Sequence, residues 1–90
     1  MEIKSLLREG CAIWSDRYTL DKIVHCMGKV FGDICKNARN QKPGDYNEGE
    51  LKKELGNIIF STIRWCDDLG FDPEECIILA KKCQKIFPKK

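Results

Sequence analysis

Apolar residues recur along this chain in steps of three and four, and the pattern from Glu48 to Leu69 organises the rest. Read as a helix, EGELKKELGNIIFSTIRWCDDL puts Leu51, Leu55, Ile58, Thr62, Trp65, Cys66 and Leu69 on one side. That is the spacing of a buried helical stripe. Beside it runs a second row at the same spacing: Glu54, Asn57, Ser61, Arg64 and Asp68. A helix with a polar row next to its apolar row can build a core and line a site at once. Half of any functional site is expected here.

Upstream, Ile3, Leu6, Leu7, Cys11 and Trp14 predict a short amphipathic helix over 2–14. Gly10 weakens it by about 1 kcal/mol relative to alanine. Ser15 to Thr19 reads as a connection, with Thr19 placed to cap the next helix. That second helix is predicted from Leu20 to Ala38, on the stripe Leu20, Ile23, Val24, Met27, Val30, Phe31, Ile34 and Cys35. Its other side carries Lys22, His25, Lys29, Gly32 and Lys36. This suits either a solvated basic face or one turned toward the polar row of the third helix. Pro43-Gly44 marks a turn in the polar loop that follows, where Tyr46 is expected to act as an anchor.

Gly70 is placed to end the third helix in a left-handed conformation. Asp72, Pro73, Glu74 and Glu75 then supply a cap, a first helical position and charges that complement the helix dipole. The fourth helix carries Cys76, Leu79, Ala80, Cys83, Ile86 and Phe87 on one side and stops at Pro88. Ile77 and Ile78 lie off that stripe and suggest a subunit contact. With no sustained strand-like alternation, the chain is predicted to be all-α: four helices in a single domain over 1–90.

A domain of 90 residues buries roughly 60–65% of the surface its unfolded chain exposes, so self-association is a natural supplement. The formal charge of +2, from sixteen basic and fourteen acidic side chains, is too balanced for nucleic-acid binding. No apolar run approaches the roughly 18 residues of a membrane span, and MEIKSLLREG lacks the apolar region of a signal peptide.

Six cysteines would suggest a disulfide framework in a secreted chain. Here Cys11, Cys35, Cys66 and Cys83 fall on helical apolar stripes, where free cysteine behaves as a small hydrophobe. There is no C-x-x-C pair, and the single His25 adjoins only Cys26. A structural zinc site is therefore not expected, and a reducing cytosol is. His25 and Cys26 point about 100° apart on a helix, so they form no dyad by themselves. Gly28 and Gly32 lie inside a helix without the lysine-serine pair of a phosphate loop. Lys81, Lys82, Lys85, Lys89 and Lys90 suit the solvated, negative end of a helix dipole.

The layout resembles the MazG-like, all-α nucleoside triphosphate pyrophosphohydrolases over nearly the whole chain. The segments that carry the likeness are ELKKELGN from Glu50, the hydrophobic run after it, LGFDPEE up to Glu75, and the lysine-rich last helix. In that family, acidic residues written E-E-x-x-E on one helix and E-x-x-D on a later one hold magnesium. Members cleave nucleoside triphosphates to monophosphate and pyrophosphate, usually as dimers or tetramers. Magnesium bridges phosphate oxygens and offsets charge at the reacting phosphorus.

Aligned on KIVHCMGK, this sequence has His25, Cys26 and Lys29 at the three glutamate positions. Glu54 matches the later glutamate, but Asn57 stands where the aspartate belongs. An ammonium about 4 Å from a divalent cation would be repelled by about 8 kcal/mol at an effective dielectric near 20. Lys29 could instead take the cation's place, pairing with Glu54 or contacting phosphate as a point charge.

The leading expectation is a MazG-like fold that has lost magnesium-dependent hydrolysis and serves as a nucleotide-binding or protein-interaction module, as a homodimer or higher oligomer. Its pocket residues are His25 and Lys29 for phosphate contact, with Glu54, Asn57 and Ser61 for hydrogen bonding or internal pairing. No cofactor is expected, and no membrane or nucleic acid as partner. A second possibility is an active pyrophosphohydrolase, with Mg2+ held at Glu54 and Asn57 and completed by Asp33, Asp68 or a second subunit. A third is a purely structural helical oligomer.

Overall fold

Local signals that start and stop helices set the frame of the computed structural model, which describes residues 1–39 and 47–86, without the side chains of 37–39. Four helices form: α1 (Ile3–Ile13), α2 (Leu20–Arg39), α3 (Glu48–Asp68) and α4 (Pro73–Ile86). No strand occurs among the described residues. The Pro43-Gly44 turn, the Tyr46 anchor and the stop at Phe87-Pro88 lie outside them.

The Asn47 side chain caps α3, its Oδ1 accepting from the Glu50 amide at 3.0 Å. At the other end Gly70 takes φ 82°, in the left-handed region. The Phe71 amide then reaches back to the Cys66 carbonyl and the Gly70 amide to the Asp67 carbonyl, both at 2.9 Å. This pair of bonds is a Schellman ending, which satisfies carbonyls a helix leaves free. Asp72 Oδ1 accepts from the Glu74 amide at 3.1 Å, and Pro73 opens α4. The turn from α3 to α4 is thus fixed by its own backbone.

α3 packs against each of the other three helices. Of the apolar side chains described, only Ile23, Ile63, Trp65 and Pro73 are buried. α2 turns Ile23, Met27, Val30 and Ile34 inward, while Leu20, Val24 and Phe31 from the same predicted stripe stay more than half exposed. Its Lys22, His25, Lys29, Gly32 and Lys36 side is in solvent.

Other predicted stripes are also only partly covered. On α3 Leu55 is exposed although it lies on the expected core side, as is its neighbour Ile59. On α4 the side chains facing α3 are Cys76, Ile77 and Ala80, whereas Leu79, Cys83 and Ile86 are exposed. Every residue from Ile77 to Ile86 is exposed to solvent to some degree, because α4 meets α3 through its first two turns and then runs clear. Cys35 and Cys83, expected as small core hydrophobes, are exposed, while Cys11 and Cys66 are half-buried.

Candidate functional site

The polar row of α3 is most buried at Arg64, which carried no expected role, and at Asp68, one of the carboxylates named as able to complete a magnesium site. Their side chains are 11% and 2% exposed and pair at 2.9 Å, Nε to Oδ1. The guanidinium also donates from Nη1 to the Gly10 carbonyl at 3.2 Å and to the Trp14 carbonyl, and from Nη2 to the Asp16 carbonyl at 3.0 Å. The second Asp68 oxygen accepts from the Tyr18 amide at 3.2 Å. Burial opposes the Arg64 charge, but the Asp68 hydrogen bond and charge outweigh it and hold the guanidinium above its ordinary value.

This pair closes the end of α1 and the connection to α2 onto α3. Four of the five guanidinium N–H groups are spent on these bonds, so Arg64 has little left for a ligand. Both Asp68 oxygens likewise accept a hydrogen bond within the fold. The signal in the sequence was an arginine and an aspartate four apart on one helix face, a spacing at which side chains meet.

Above the pair lies a pocket of about 310 Å³, walled by Ile13, Trp14, Tyr18, Phe60 and Trp65, with Gly10, Asn57, Ser61 and Arg64 completing it. Trp14 and Tyr18 meet edge to face, their ring centroids 5.8 Å apart. The Lys22 ammonium sits 4.8 Å from the Tyr18 ring centroid, a cation–π contact. Two of the four aromatic walls, Trp14 and Tyr18, come from segments read only as helix end and connection.

Four of the five predicted site residues divide between two places, and Glu54 lies in neither. Asn57 and Ser61, one turn apart on α3, share the aromatic pocket. His25 and Lys29 instead border a shallow depression on α2 with Asp21, Val24 and Gly28. Glu54 is half-buried on α3, and among the described residues no ion pair links it to Lys29. The nearby acids Glu48 and Glu50 pair along the helix surface with Lys52 and Lys53 at 3.7 and 2.9 Å.

Among the described residues no three histidine, cysteine, aspartate or glutamate side chains converge as a metal-ligand group. No described helix is long and apolar enough to cross a membrane. The chain matches no protein-family model, no curated protein and no solved structure in comparisons with all three.

A second concavity, of about 500 Å³, runs between α1, α3 and α4 and is almost wholly apolar, with Cys66 and Cys76 in its wall. Burial, and then the neighbouring Cys76 thiol, push the Cys66 thiol up to about 11.

Proposed function

We propose that this chain is a self-associating helical interaction module, MazG-like in layout, that does not carry out magnesium-dependent nucleotide hydrolysis. The observation that supports this reading is the apolar surface a single copy leaves uncovered. Leu20, Val24 and Phe31 on α2, and Leu55 and Ile59 on α3, are each between 47% and 65% exposed.

Two copies meeting through the uncovered faces of α2 and α3 would take this apolar surface out of water, the usual driving force for association.

The non-hydrolytic part rests on the donor set. Lys29 and His25 stand where the resemblance calls for carboxylates, and both oxygens of Asp68 serve the fold. Light scattering tests the association: twice 10.4 kDa is expected at micromolar concentration. A purely monomeric species would sink it. Pyrophosphate release from nucleoside triphosphates with magnesium would overturn the non-hydrolytic part alone.

One observation favours a nucleotide as an added ligand. Asn57 and Ser61 give the aromatic pocket a polar edge, and the Lys22 ammonium lies against the ring of Tyr18, one of its walls. Stacking walls with a few convergent polar groups are how proteins hold flat heterocycles. Thermal stabilisation by nucleotides without magnesium, lost in Asn57→Ala, is the result that would uphold it.

A further inference from the structure

We propose that Cys66 and Cys76 form a dithiol which hydroperoxides convert to an intramolecular disulfide, fastening α4 to α3. This inference is independent of the proposed function. Nine residues separate the two cysteines, and the segment between them is held by the Schellman ending at Gly70 and the Asp72 cap. That backbone brings the last turn of α3 beside the first turn of α4. Both thiols are half-buried in the wall of one groove, and no other cysteine lines it.

The groove shelters the pair without sealing it, so a small oxidant can enter. Cys66 stays protonated at neutral pH, its thiol held up at about 11 by burial and the adjacent Cys76. The first attack therefore falls to Cys76. Its thiolate attacks the peroxide O–O bond, giving a sulfenic acid and releasing the alcohol, or water from hydrogen peroxide. The Cys66 sulfur then attacks the sulfenic sulfur; the S–O bond breaks, and hydroxide leaves with the Cys66 proton as water. Overall, two thiols and one hydroperoxide give one disulfide, one alcohol and one water. A thiol reductant reverses the change.

The wild-type chain, treated with one equivalent of hydrogen peroxide and then alkylated, tests this directly. Trypsin leaves both cysteines in the peptide 65–81, and further cleavage after Glu75 separates them unless they are bridged. The expected result is a cross-linked pair lighter by two hydrogens, formed before any other cysteine is lost. It should be absent in Cys66→Ser and in Cys76→Ser, and its formation should raise the melting temperature of the wild type. Cys66 and Cys76 recovered fully alkylated, while Cys11, Cys26, Cys35 or Cys83 is oxidised, would overturn the proposal even if neither variant folds.

Discussion

Arg64 and Asp68, one turn apart on α3, hold the chain between α1 and α2 from both sides. The guanidinium takes the carbonyls of Gly10, Trp14 and Asp16, while the carboxylate takes the Tyr18 amide. Removing one member of a buried pair leaves the other charge uncompensated, at a cost of about 3–5 kcal/mol. Arg64→Leu should lose that much in a urea titration and detach α1. Asp68→Asn keeps an acceptor for Tyr18 and should cost less. Equal, small losses would mean that α1 is held by its apolar contacts instead.

Gly10 is buried in α1 facing α3, yet a methyl group there would meet Phe60 Cζ at 3.7 Å and Arg64 Cβ at 3.8 Å. Those are ordinary contact distances. Gly10→Ala should therefore gain most of the roughly 1 kcal/mol that glycine costs inside a helix. A lower denaturation midpoint in the variant would show that α1 needs a closer approach.

Association through α2 predicts a contrast between two exposed positions on the same helix. Phe31→Glu should yield a monomer by light scattering, because it places a charge in the uncovered apolar face. His25→Glu, on the solvated side, should leave the mass unchanged. The idea fails if both variants, or neither, dissociate.

The raised Cys66 thiol links stability to alkaline pH. In the unfolded chain this thiol ionises near its ordinary value of 9.0, whereas folding holds the proton to about 11. Its contribution is thus complete below about pH 9 and is lost as pH climbs toward about 11. With reductant present, denaturation midpoints measured across that window should fall more in wild type than in Cys66→Ser. The fall will be smaller than the full shift implies, since Cys66 is partly solvated. Identical slopes would place the alkaline sensitivity elsewhere.

The helices themselves were legible because each rests on local signals. Asp72-Pro73 starts α4 and Gly70 ends α3 whatever surrounds them. Burial was less legible, since periodicity marks a side as apolar without saying what covers it. Leu20, Val24 and Phe31 satisfy the stripe of α2 as well as Ile23 does, yet of these four only Ile23 is buried.

The candidate site divided for the same reason. Whether His25 and Lys29 meet Asn57 and Ser61 depends on how far α2 rotates about its axis, which its own sequence does not specify. The aromatic walls Trp14 and Tyr18 were hidden differently: they come from the segment that Arg64 gathers in, and that gathering is visible only once α1 crosses α3.

The grip on residues 14–18 is made entirely through main-chain atoms: two carbonyls for Arg64 and one amide for Asp68. No side chain between Trp14 and Tyr18 is asked to hold the segment down. The anchor itself therefore places no demand on the identity of the Ser15, Asp16 and Arg17 side chains. Positions 14 and 18 carry a limit, since proline there has no amide to give to the Gly10 carbonyl or to Asp68.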